Sequence, residues 1–138
     1  MPLNLTALLE GMVSTNASDL HLKVGSPPMF RLDGALRPID YPTLRPQETE
    51  AVMNDIMPGR LRMAYEEKGT VDFSYSLPGK ARFRVNVFHQ RGSTSLAIRK
   101  VNLEPPSPEA LELPETVANF HLWRNGLVLV TGATGSGK

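Results

Sequence analysis

The sequence predicts an α+β fold: an antiparallel sheet with flanking helices, then a proline-rich linker and one apolar strand running into a glycine-rich loop. Three observations predict it. A helical spacing of leucines at the start gives way to two-residue alternation. Between Thr70 and Val101, three runs alternate β-branched or aromatic with polar residues. Pro105, Pro106 and Pro108 then interrupt all regular structure ahead of Leu127-Val128-Leu129-Val130. With 138 residues, 41% of them hydrophobic and 21% charged, the chain has the composition of a packed protein and room for one domain plus part of another.

Taken in order, Leu5, Leu8, Leu9, Met12 and Val13 form the apolar stripe of a first helix, with Asn4 as its N-cap. From Asp19 to Val24 the pattern becomes strict alternation. Leu20, Leu22 and Val24 fall on one face and Asp19, His21 and Lys23 on the other, as in a half-buried strand. Gly25, Pro27 and Pro28 end it, Met29 to Leu32 form a second strand, and Asp33-Gly34 turns into a third at Leu36 to Ile39. Pro46 opens a helix with Glu48 in its first turn and Val52, Met53 and Ile56 on one side, and Pro58-Gly59 stops it. A short helix follows over Arg60 to Lys68, capped by Gly69.

Thr70 to Ser76, Ala81 to His89 and Thr94 to Val101 read as strands, with Phe73, Tyr75, Phe83 and Phe88 as sheet core. Beyond the prolines, 109–120 is a weakly helical stretch broken by Pro114, and 127–130 is an uninterrupted apolar strand. The predicted organisation is a domain over 1–101, a linker over 102–108 and the start of a second domain over 109–138.

Composition excludes several classes of chemistry. There is no cysteine, which removes thiol nucleophiles, disulfides and cysteine-ligated zinc, and His21, His89 and His121 are scattered too widely to suggest a metal centre. Neither a signal peptide nor a transmembrane run is visible, so a cytoplasmic protein is expected.

Charge is distributed unevenly. The net charge is +1, yet no Asp or Glu occurs between Phe73 and Leu103, where Lys80, Arg82, Arg84, Arg91, Arg99 and Lys100 all fall. Such asymmetry suggests a local anion site or a solvated face rather than nucleic-acid binding. With Arg91-Gly92 at the centre of a hairpin, Val85 faces Ile98 and Val87 faces Leu96, and Arg84 stands opposite Arg99. Like charges so placed repel unless an anion or carboxylate lies between them, and the stretch itself contains no carboxylate. Arg84 and Arg99, with Arg82 and Arg91 nearby, are therefore a candidate phosphate clamp, the alternative being ion pairs to acidic residues on the helices. For His21, a hydrogen bond to Asp19 or a contact at a domain boundary is the expectation.

The chain closes on Gly132-Ala133-Thr134-Gly135-Ser136-Gly137-Lys138, the G-x-x-x-x-G-K part of a P-loop after an apolar run. Its glycines let backbone N–H groups of Gly132, Thr134, Gly135, Ser136 and Gly137 wrap a phosphate, and Lys138 reaches the β and γ phosphates. The Ser or Thr that binds Mg²⁺ in a complete motif would come after Lys138, so these residues alone are not expected to hydrolyse ATP.

Three segments together resemble the secretion and pilus ATPases of the PilT, PilB and GspE type. They are Ala17-Ser18-Asp19-Leu20-His21-Leu22; Arg82-Phe83-Arg84-Val85-Asn86 with Gln90-Arg91-Gly92 and Leu96-Ala97-Ile98-Arg99; and Gly126 to Gly132 leading into the P-loop, where Ala133 replaces the family's usual Pro. The first segment starts one short helix after Met1, which is closer to the retraction, PilT-like branch than to assembly and type II secretion ATPases. The resemblance implies a PAS-like N-terminal domain joined to a RecA-like domain, a homo-hexameric ring, and ATP with Mg²⁺ as ligands of the full-length protein. It also implies pilus retraction and twitching motility as the process, an inner-membrane pilus platform protein as partner, and a peripheral location at that membrane. By position, Arg84, Arg99 and Arg91 would approach the nucleotide phosphates. The chain alone would be a monomer or weakly associating, with no tight nucleotide binding. A competing reading is a non-enzymatic PAS-like module that binds a ligand or partner, and a nearer one is the same domain of an assembly or secretion ATPase.

Overall fold

Asn4 starts the first helix, since its Oδ1 accepts the Ala7 N–H at 3.0 Å and so satisfies one of the donors a helix leaves unpaired at its N-terminus. That helix, α1, is Leu5–Ser14. The computed structural model describes residues 3–101 and 106–132. They divide into two units, Met1–Leu103 and Glu104–Lys138.

In the first unit α1 is followed by β1 (Asp19–Leu22), β2 (Met29–Leu32), β3 (Ala35–Pro38) and α2 (Pro46–Ile56). A 3-10 turn at Gly59–Leu61 then leads to α3 (Arg62–Lys68), β4 (Thr70–Leu77), β5 (Ala81–Gln90) and β6 (Ser93–Val101). The helix ends follow the residues predicted for them. Pro46 lies in the first turn of α2, with the Glu48 carboxylate accepting the Arg45 N–H at 2.8 Å. Gly69 ends α3 in the left-handed conformation, φ 70°. Both tight hairpins have positive φ at their two central residues, 49° and 81° at Asp33-Gly34 and 50° and 76° at Arg91-Gly92, as a type I′ turn requires.

The six strands form one antiparallel sheet in the order β3-β2-β1-β6-β5-β4. The predicted hairpin register is the observed one, with Val85 opposite Ile98, Val87 opposite Leu96 and Arg84 opposite Arg99. The pairing of β1 with β6 joins residues about 80 apart in sequence and brings Asp19 opposite Arg99. All three helices lie on one face. Leu9 and Met12 of α1, Val52 and Ile56 of α2, and Tyr65 of α3 bury with Leu20, Leu22, Phe83, Val85, Val87, Leu96 and Ile98 of the strands. The opposite face carries the alternate residues. Phe88 falls there and is only half-buried, because Phe83, Val85 and Val87 occupy the core positions of the same strand; its expected place in the core is corrected accordingly.

In the second unit Pro114 stands at the start of a one-turn helix, α4 (Glu115–Ala118), followed by a 3-10 turn at Phe120–Leu122. The expected strand over 127–130 belongs to no ladder among the described residues. Leu127 is 82% exposed, since an apolar strand becomes one only when a neighbour accepts its hydrogen bonds.

Candidate functional site

The helix-free face of the sheet gathers the charged residues because each of its strands alternates, and the register aligns their polar positions into rows. One row crosses the whole sheet: Leu36 of β3, Arg31 of β2, Asp19 of β1, Arg99 of β6, Arg84 of β5 and Ser74 of β4. The next row places Met29, His21, Ala97, Asn86 and Asp72 side by side. Ala97 is the smallest of these. Around it Asp19, Asp72, Arg84, Asn86 and Arg99 line a shallow cavity of about 290 Å³.

Asp19 is the fixed point of this face. Its side chain is 9% exposed, and both oxygens are engaged. Oδ1 accepts the Arg99 Nε–H at 2.8 Å, while Oδ2 accepts the Ser18 hydroxyl at 2.8 Å and lies 3.3 Å from Arg31 Nε. Burial pushes its carboxyl up, but the hydrogen bonds from Arg99 and Ser18 and the charges of Arg99 and Arg31 outweigh this and hold it below the ordinary 3.8. Arg84 is anchored in a similar way on the other side, its Nε 3.2 Å from Asp72 Oδ1, and Asn86 Nδ2 donates to Asp72 Oδ2 at 3.2 Å. Two arginines that face each other are thus drawn apart by carboxylates on the strands outside them. The alternative of ion pairs to acidic residues holds in kind, since both arginines have a carboxylate partner, but those carboxylates come from β1 and β4 rather than from the helices.

Each arginine uses only Nε in its ion pair. The Nη atoms of Arg84 and Arg99 have no protein partner among the described residues, and the side chains are 69% and 71% exposed. A guanidinium tethered in this manner presents a planar pair of donors to solvent, suited to a carboxylate or phosphate. Arg82 is one position along the same face, while Lys80 and Lys100 are bound to Glu10 and Asn16. Arg91 sits at the β5–β6 hairpin tip, roughly 20 Å from Arg84 at the rise of an extended strand, and is not part of the cluster.

Of the two roles expected for His21, the hydrogen bond to Asp19 is not made, since the Asp19 oxygens are taken by Arg99, Ser18 and Arg31. Its Nε2 is buried without a partner among the described residues, in a recess with Met29, Leu36, Phe88 and Ser95. Burial, and then the Arg31 charge, push its pKa below the ordinary 6.5, with Asp19 opposing. Among P-loop residues, Gly132 is described and exposed, whereas Thr134, Gly135, Ser136, Gly137 and Lys138 lie outside the described residues. No group of three acidic or histidine side chains that would hold a metal ion occurs among the described residues.

Sequence reasoning paired Arg84 with Arg99 but missed Arg31 and the anchoring roles of Asp19 and Asp72. Local alternation placed Asp19 on the polar face. Its partner lies on a strand that only the folded chain brings beside it.

No family model matches the chain. It is 41% identical over 136 residues to the type IV pilus retraction ATPase PilT of Pseudomonas aeruginosa, covering 99% of this chain and 40% of that protein. It is 34% identical over 131 residues to the type IV pilus ATPase PilU of the same organism, covering 95% of this chain and 34% of that protein. A crystal structure of the pilus retraction motor PilT with bound ADP superposes with a TM-score of 0.86 at 41% identity, over 99% of this chain and 40% of that one. The fold is that of a pilus ATPase N-terminal domain. Within that class the chain is PilT-like. It spans about two fifths or less of the length of these relatives. No helix among the described residues is long and apolar enough to cross a membrane.

Proposed function

We propose that the chain is the N-terminal domain of an ATPase that drives type IV pilus retraction, and that Arg84 and Arg99 are the side chains by which it meets nucleotide phosphate in the full-length protein. One observation carries the reading: two largely exposed guanidinium groups directly opposite each other, each tethered through Nε and each with no partner for its Nη atoms among the described residues. That donor set fits the oxygens of a polyphosphate. The solved relative with bound ADP supports the ligand class. The 41% identity to a retraction ATPase favours retraction over assembly or secretion.

In this reading Gly132 and Thr134 to Lys138 begin the loop that cradles the phosphates, and Mg²⁺ joins through residues of the full-length protein. Closure of the N-terminal domain toward the nucleotide brings Arg84 and Arg99 to the γ phosphate, where charge develops during transfer. Arg91, at the hairpin tip, adds positive charge at longer range. The working form is a homo-hexamer on the cytoplasmic side of the inner membrane, engaged with the pilus platform.

The test is turnover and melting temperature measured on one preparation of the full-length protein. Arg84→Ala or Arg99→Ala lowers kcat by about 10² or more with little change in melting temperature, as expected of groups that act on transition-state charge. Lower melting with unchanged turnover per folded molecule would refute the assignment.

A further inference from the structure

We infer that Asp19 is a positioning residue for Arg99: held between Arg31 and Ser18 at the centre of the sheet, its carboxylate fixes Arg99 Nε so that the rest of the guanidinium is presented to the ligand. The inference rests on the function proposed above.

The two arginine anchors are not equivalent. Asp72 is 50% exposed, on the edge strand, whereas the Asp19 side chain is 9% exposed, on a strand with neighbours on both sides. Asp19 makes three contacts, from Arg99 Nε, Ser18 Oγ and Arg31 Nε, so its carboxylate plane is set from three directions. Arg99 has the opposite character: 71% exposed, it has one side-chain partner among the described residues, which is Asp19. An arginine with several free rotors and one anchor takes its direction from that anchor. The contact distance of 2.8 Å, a charge-assisted hydrogen bond, is shorter than the 3.2 Å of Arg84 to Asp72. Asp19 also lies between two cations, Arg31 and Arg99, across three adjacent strands, which lets Arg99 stand opposite Arg84 without a bound anion.

The experiment is a double-mutant cycle in the full-length ATPase, with Asp19→Asn, Arg99→Ala and the pair, reading kcat, KM for ATP and melting temperature. Asp19→Asn keeps the shape of the side chain and removes its charge. It is expected to lower kcat about tenfold, with KM changed less than about twofold, because misdirecting a group costs mainly the step that needs it aligned. In the Arg99→Ala background the same change is expected to lower kcat no further. An equal loss in both backgrounds, or unchanged kcat per folded molecule in Asp19→Asn, overturns the positioning role. Loss of turnover in Arg99→Ala with none in Asp19→Asn overturns this inference alone, whereas unchanged turnover in Arg99→Ala overturns the proposed function as well. If Asp19→Asn does not fold, Asp19→Glu serves: it keeps the charge and moves the anchor by one methylene. Roughly ten- to hundredfold lower kcat in folded Asp19→Glu supports the role, and wild-type kcat refutes it.

Discussion

Arg84 and Arg99 stand directly opposite each other on neighbouring antiparallel strands, and each turns its Nε away from the other to a carboxylate on the far side, Asp72 for Arg84 and Asp19 for Arg99. The arrangement converts a repulsive cross-strand pair into a four-residue cluster of alternating charge without a ligand, and leaves the Nη atoms without a partner among the described residues.

Lysine is therefore expected to be a poor replacement at both positions. An ammonium group that stays with its aspartate has its remaining N–H donors on that same nitrogen and no outward planar pair to offer, and one that reaches outward abandons the aspartate. Arg84→Lys and Arg99→Lys in the full-length protein should melt near the wild-type temperature and recover little of the turnover lost in the alanine variants. Near-complete rescue would show that charge alone suffices.

Acid should weaken the domain in two separate windows. The folded-state pKa of His21 is depressed chiefly by burial, so its contribution is fully present above the unfolded value near 6.5 and is lost as pH falls below it. Asp19 is also depressed below 3.8, because its hydrogen bonds and neighbouring charges outweigh its burial, so its contribution is lost only at lower pH. Denaturant titrations from pH 7 to pH 5 should show wild type losing stability relative to His21→Gln. A parallel pH dependence in the two proteins would contradict the assignment.

Tyr65 tethers α3 to the sheet through a buried hydrogen bond, its hydroxyl 3.1 Å from Thr94 Oγ1. Tyr65→Phe keeps the packing but leaves the Thr94 hydroxyl buried without that partner. The expected cost is about 1–3 kcal/mol, read as a lower denaturation midpoint with an unchanged slope. A midpoint equal to wild type would mean that Thr94 finds another partner.

Gly69 ends α3 at φ 70°, and a Cβ placed there would lie 3.5 Å from His89 Nδ1. Space is adequate, so the penalty comes from the backbone. Gly69→Ala should cost about 1 kcal/mol, while Gly79→Ala, at φ 70° in open space, should cost a similar amount. A much larger loss at Gly69 alone would point to His89 as an obstacle.

The local chemistry of this chain was legible without its fold. Asn4, Pro46 and Gly69 mark helix ends through hydrogen bonds and dihedral preferences that involve only neighbouring residues, and Arg91-Gly92 sets the hairpin register that puts Arg84 opposite Arg99. Alternation likewise separated Asp19 from Leu20 and Leu22. What only the tertiary structure decided is who sits beside whom across the sheet. Placing β1 next to β6 closes a loop of about 80 residues and gives Arg99 its carboxylate, occupies the oxygens that His21 was expected to bond, and recruits Arg31. Phe88 and the 127–130 run differ from expectation for a related reason. A side chain's face and a strand's existence depend on the neighbouring strand, and periodicity within one segment does not specify that neighbour.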